Sequence, residues 1–164
     1  MKNIDDQRKG YSYFKKILRK LSKKDKFFFI SLGHKNSDLL DIDNYKHFDF
    51  LPYKETPDIY SLSDIYICTS LIDNLPLTVL EALSSGNLVI SFKNGGAEEV
   101  LEKTGYTFKI SEINKLTNLI ENLSMSKIKT KSVIARKFAV QNFNNKITKK
   151  NYLKIFDNVL KEKN

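Results

Sequence analysis

The chain has 164 residues, of which 41% are hydrophobic and 12% aromatic; it is long enough to bury a real core, and its composition excludes a disordered polypeptide. A single cysteine, Cys68, excludes an internal disulfide framework and fits a reducing compartment, and there is no run of 18 apolar residues to span a membrane. The net charge of +9 resides entirely in residues 127–164, with 11 basic and 2 acidic side chains, while residues 1–126 balance 17 against 17. Lysines outnumber arginines 25 to 3, so this basic tail reads first as a solvated face and second as a contact with an anionic surface.

In chain order, the opening MKNIDDQRKG is polar and lacks the apolar run of a secretory leader. Tyr13, Phe14, Ile17, Leu18 and Leu21 recur at helical spacing within 9–21. The continuous apolar run at 27–32 stops at Gly33, as a buried parallel strand does. Residues 47–51 suit a short strand ending at Pro52, and 56–62 a short helix with Pro57 in its first turn. Residues 65–69 form a further buried strand. The pattern then predicts a helix over 76–85 closed by Gly86, a strand at 88–92, a short helix at 97–103 and a strand at 106–110. Helices near 112–123, 127–142 and 146–162 complete the chain. The expected fold is α/β: a Rossmann-like, doubly wound parallel sheet with helices on both faces. Residues 1–123 form its sheet domain, and 124–164 are basic helices packing on or beside it.

Ligands of such sheets sit beyond the carboxyl ends of the strands. The stretch DNLPLTVLEALSSGNLVISFKNGGAEEV, residues 73–100, starts at one such end. The N–H groups of Leu77 and Thr78, in the first turn of the helix, would point at an anion, and the Thr78 hydroxyl adds a donor. Glu81, one turn further on, could accept two hydrogen bonds from a vicinal diol. Asp73, in the loop before the helix, would meet what lies past the phosphate. The spacing suits a nucleoside diphosphate sugar, with ribose at Glu81, phosphates at the helix end and sugar near Asp73. Gly95-Gly96 lets backbone approach a ligand closely. The competing reading makes Glu81 a solvated helix residue and Asp73-Asn74 an ordinary turn.

These residues also carry a family resemblance. The pattern Asp73, NLPLTVL, Glu81, ALSSG, NLVISF, Gly95-Gly96 and Glu99 resembles the signature of the C-terminal, donor-binding half of the retaining glycosyltransferases of family four. These are glycosyl transferases group 1 with the two-domain GT-B architecture. IYSLSDIYICTS at 59–70 resembles the helix and strand that precede the signature. DDQRKGYSYF at 5–14 resembles the entry to the first helix in a subgroup that builds bacterial surface polysaccharides. The resemblance spans roughly residues 5–123.

The resemblance implies that Lys9 neutralises the donor diphosphate, assisted by Arg8, and that Glu81 binds ribose. It places Asp73 against the donor sugar, Leu77 and Thr78 at the phosphates or ribose, and Leu51-Pro52-Tyr53 beside the nucleobase. Asp73 stands where the family has Glu, and Asn74 where Gly is usual. The donor would be a nucleotide sugar and the acceptor a surface polysaccharide or lipid-linked glycan, at or near the inner face of the membrane in the cytoplasm. No metal or other cofactor is expected, because fixed cations and N–H groups meet the leaving-group charge. A strand should precede Arg8-Lys9-Gly10, and MKNID is too short and polar to supply it. The acceptor domain is likewise not found in these 164 residues. The expectation is therefore a fragment, or a chain that works with a second polypeptide; a degenerate, non-catalytic module that binds nucleotide or a partner is the alternative. His34 and His47 have no partners at metal-ligand spacing, Cys68 reads as core, as do Tyr13, Phe14, Phe27, Phe28 and Phe29, and no nucleic-acid platform of interleaved Arg and aromatics is present.

Overall fold

A computed structural model describes residues 7–33, 39 and 41–161. Among the described residues, five strands and seven α-helices alternate. They are α1 (Tyr11–Leu21), β1 (Phe29–Leu32), β2 (Tyr45–Phe48), α2 (Thr56–Ser61), β3 (Ile65–Cys68), α3 (Leu77–Ser85), β4 (Leu88–Phe92), α4 (Gly96–Thr104), β5 (Tyr106–Phe108), α5 (Ile113–Asn122), α6 (Met125–Asn142) and α7 (Asn145–Lys161). All strand pairs are parallel. They fall into two sheets, β1-β2 and β3-β4-β5. The strand expected before Arg8 would fall on residues outside those described, as does His34.

β4 sets the core because its side chains alternate between two helical layers. Leu88, Ile90 and Phe92 join Ile17 and Leu21 of α1, Leu116 and Ile120 of α5 and Ile128 of α6. Val89 faces the other way, to Val79, Ala82 and Leu83 of α3, Ala97, Val100 and Leu101 of α4, and Ala135 and Ala139 of α6. Every β4 residue is buried, as a strand flanked on both edges and covered on both faces requires. Phe27, just before β1, Phe29 of β1, and Ile65 and Ile67 of β3 pack against the α1–α5 layer. Among the described residues β3 is hydrogen-bonded to a strand on one edge only, and it stays half-buried except at Cys68.

Some expected bounds and burials shift, and the last strand ends at Phe108 rather than Ile110. The second strand starts at Tyr45 rather than His47 and stops at Phe48. Asn44 anchors its start: its backbone carbonyl accepts from Phe29 N at 2.8 Å, and its Nδ2 donates to Phe27 O at 2.8 Å. The ladder closes where Gly33 N donates to Phe48 O at 3.0 Å, so 49–51 has no β1 residue left to pair with. Phe28 is exposed, not core, because it lies between the inward-turned Phe27 and Phe29. Within the first sheet the Ser31 hydroxyl lies 2.6 Å from the Tyr45 hydroxyl and 2.8 Å from His47 Nδ1, while His47 Nε2 lies 3.0 Å from Gly33 O, so both ring nitrogens of His47 are engaged.

The C-terminal helices differ from each other. α6 contributes to both layers. α7 buries no residue, and Tyr152, Leu153, Ile155, Phe156, Val159 and Leu160 are exposed, from 47% at Val159 to 63% at Leu160. Among the described residues no helix is long and apolar enough to cross a membrane.

Candidate functional site

Three loops meet at the carboxyl ends of β3 and β4. The first enters as a short 3-10 turn, Gln7–Lys9, and ends at Gly10, whose φ of 65° lies in the left-handed region. Arg8 O accepts from Leu71 N at 2.6 Å, and the Thr69 hydroxyl donates to Lys9 O at 3.0 Å. Gly10 is pressed so closely on this segment that a Cβ there would come within 1.9 Å of Thr69 O. The stitching carries the Lys9 ammonium to 3.2 Å from Asp73 Oδ2, 64 residues away in sequence. Lys9 is 59% exposed and Asp73 24%. So solvated a pair contributes at most about 1 kcal/mol to stability. Its consequence is placement: a cation and a carboxylate side by side at the mouth of the sheet.

The second and third loops, after β3 and β4, are zipped together. Asp73 N donates to Asn94 O at 3.0 Å, Asp73 bridges Gly95, and Gly96 N donates to Asn74 O at 2.7 Å. A Cβ at Gly95 would lie 2.5 Å from Asp73 O, and one at Gly96 2.1 Å from Asn74 O. The space left by the missing side chains of the glycine pair is therefore taken by the Asp73-Asn74 backbone. Buried Asn94 adds a bond from its Nδ2 to Ser70 O at 3.1 Å. The segment 73–74 is thus more than a surface turn.

Pro76 stands at the N-cap position of α3 in an extended conformation, so the helix starts at Leu77, one residue later than expected. Leu77 and Thr78 are exposed, and the first N–H groups of a helix have no intrahelical acceptor. Glu81 follows one turn later, half-buried. Its Oε2 accepts a hydrogen bond from the Tyr60 hydroxyl of α2 at 3.0 Å. The Tyr60 and Tyr66 rings meet edge to face with centroids 5.7 Å apart. Burial pushes both phenols well above their ordinary range; the neighbouring Tyr66 and Glu81 push Tyr60 further, and a hydrogen bond with Thr78 partly offsets the shift of Tyr66.

The structure thus brings Lys9, Asp73, Asn74, Gly95 and Gly96 together, with Arg8 carried on the same turn as Lys9. It places Leu77, Thr78 and Glu81 along one helix that leaves from there. Leu51 and Pro52 follow β2 in the other sheet, half-buried and exposed respectively. Tyr60, Tyr66 and Asn94 escaped the sequence reading. A signal existed for Tyr66, which shares a strand face with Cys68 opposite the helix that bears Thr78 and Glu81. Among the described residues no three His, Cys, Asp or Glu side chains converge as a metal site would need.

Comparisons with known proteins match this picture. No curated protein sequence matches the chain. Among solved structures, sucrose-phosphate synthase (tll1590) from Thermosynechococcus elongatus superposes with a TM-score of 0.81 at 16% identity, over 96% of this chain and 44% of that one. Anabaena Alr3699/HepE, solved in complex with UDP-glucose, gives 0.75 at 20% identity, over 93% and 46%. The C-terminal domain of a glycosyl transferase group 1 family protein (LpcC) from Francisella tularensis gives 0.68 at 20% identity, over 85% and 82%. At these identities the likeness is one of fold, and the chain spans less than half the length of the first two. It is the GT-B fold of glycosyltransferases, here in one Rossmann-like half. The sequence profile of the glycosyl transferases group 1 matches residues 3–139, which runs from the Lys9 turn through both zipped loops into α6; the chain belongs to that family.

Proposed function

We propose that the chain is the nucleotide-sugar-binding part of a retaining glycosyltransferase that extends a surface polysaccharide or a lipid-linked glycan. The observation that carries this reading is the Lys9–Asp73 pair at the start of α3, with Glu81 one turn further along. In this reading the donor diphosphate lies over the N-terminus of α3, against the Leu77 and Thr78 N–H groups and the Lys9 ammonium. Arg8 adds charge. The ribose diol bonds Glu81, the sugar faces Asp73 and Asn74, and the base lies toward Leu51-Pro52. The acceptor oxygen bonds to the anomeric carbon as the bond to phosphate breaks, the acceptor proton passes to the departing nucleoside diphosphate, and configuration is kept. Lys9 and the helix N–H groups stabilise the negative charge that builds on the leaving phosphate. A solved structure of the same fold holds UDP-glucose, which supports a nucleotide-sugar donor here.

Glu81→Ala is expected to weaken binding of uridine or guanosine diphosphate by about 1–3 kcal/mol, the cost of losing a hydrogen bond to a charged group. Lys9→Ala should weaken it comparably, with the difference shrinking as salt rises. Calorimetric titration checks both; equal affinity in wild type and variants would show that the donor lies elsewhere.

A second reading, a non-catalytic module acting only through a partner, draws on α7. Tyr152, Ile155, Phe156, Val159 and Leu160 lie on one exposed face, flanked by Lys149, Lys150, Lys154 and Lys161. Such a stripe fits docking on an acceptor-domain polypeptide, with an anionic membrane as a secondary contact. Sedimentation with anionic and neutral vesicles at low and high salt separates the two. Charge-led lipid binding fades as salt rises, each lysine contributing about 1 kcal/mol at best. Binding to neutral vesicles that ignores salt would contradict both. Sugar transfer by the purified chain alone would remove the non-catalytic reading.

A further inference from the structure

We propose that Tyr60 is a positioning residue for Glu81: its hydroxyl occupies Oε2 and so turns Oε1 toward the ribose diol. The inference rests on the donor reading above and adds to it a residue that does not itself touch the nucleotide. A glutamate on a helix surface samples several rotamers, and a carboxylate that must meet two adjacent hydroxyls gains from being held in one of them. The Tyr60 hydroxyl, 3.0 Å from Oε2, is the hydrogen bond that selects that rotamer.

Tyr60 is itself fixed from two sides. Its ring packs edge to face on Tyr66 of β3. Its backbone carbonyl accepts from Nδ2 of Asn87 at 2.9 Å, and the same nitrogen donates to Ser63 O. Asn87 is buried directly after the Gly86 cap of α3. The end of α2 is therefore clamped to the end of the helix that carries Glu81, and the phenol reaches back along α3 to the carboxylate. Burial holds the phenol's own proton in place, so the hydroxyl keeps the hydrogen that it donates to the carboxylate. A carboxylate oxygen with one firm donor still accepts from others, but its direction is set.

The test compares two probes on the full chain by calorimetry: uridine diphosphate and its 2′,3′-dideoxy analogue, with the guanosine pair run in parallel. Wild type should prefer the intact diol by about tenfold. Tyr60→Phe keeps the ring and removes only the hydroxyl, so it should cut that preference to about threefold and leave affinity for the dideoxy probe unmoved. In a Glu81→Ala background, Tyr60→Phe should change neither affinity, because Tyr60 acts through the carboxylate. Thermal unfolding confirms that each variant is folded. Equal weakening of both probes by Tyr60→Phe would mean a merely structural tie and overturn the inference. A tenfold preference retained in Tyr60→Phe but lost in Glu81→Ala would overturn it while leaving the donor reading intact. No diol preference in wild type, or one that survives Glu81→Ala, would overturn both.

Discussion

Gly10→Ala should destabilise the chain by roughly 3 kcal/mol, about 1–2 from the left-handed backbone that a Cβ disfavours and the rest from overlap. The overlap is with backbone, Thr69 O at 1.9 Å from the added carbon, so no side chain can swing aside to relieve it. Relief requires the Gln7–Gly10 turn to lift from the end of β3, which breaks the Leu71 N to Arg8 O bond and moves Lys9 away from Asp73. Against a total stability of about 5–15 kcal/mol the loss is large. Urea unfolding measures it, and nucleotide affinity should fall in the same variant. A midpoint shift equivalent to less than about 0.5 kcal/mol would show that the turn is not held where it is described.

Phe92→Ala should cost about 4 kcal/mol. The ring is fully buried and meets Tyr13 of α1 edge to face at 5.6 Å, within the layer that joins α1, β4 and α5. Its removal leaves a cavity under α1, the helix that follows the Lys9 turn. Phe28→Ala is the control, because that ring is 64% exposed; its effect should stay within about 0.5 kcal/mol. Similar losses at the two positions would contradict the burial pattern.

The helix and strand order was legible because the periods are strong: Ile17, Leu18 and Leu21 on a helix face, and the apolar run of Leu88 to Phe92 on a strand buried on both sides. The second strand was misplaced because Pro52 is a louder signal than Asn44. Proline marks an end by its chemistry, whereas Asn44 sets a start through a side-chain bond to Phe27 that only the folded chain shows. Phe28 was read as core because three phenylalanines in a row carry no alternation of their own. At the site, the grouping of Leu77, Thr78 and Glu81 followed from helical spacing. The meeting of Lys9 and Asp73 did not, since no local rule links residues 64 apart; Asp73 stood out by its loop position before the helix, Lys9 only by the resemblance. The glycine pair was recognised as a place of close approach, but the approaching group at each Cβ position is the chain's own backbone. Tyr60 and Glu81, 21 residues apart on two helices, gave no pattern at all.

The enclosure of β4 has a consequence for how the chain opens in time. Amides in a strand bonded on both edges and covered on both faces exchange hydrogen only when the whole unit opens, while β1 and β2, which among the described residues pair only with each other, can open by themselves. Solvent deuterium should therefore reach Phe29–Leu32 and Tyr45–Phe48 well before Val89–Phe92. The loops carrying Asp73 and Gly95 hang from the slow unit, and the Leu51-Pro52 segment hangs from the fast one. In the proposed donor placement, a ligand that spans both would be gripped at its phosphate end by a persistent element and at its base end by a fluctuating one. Its slowest-dissociating contacts would then be those to the phosphates, and protection of the first sheet on binding would be the larger of the two changes.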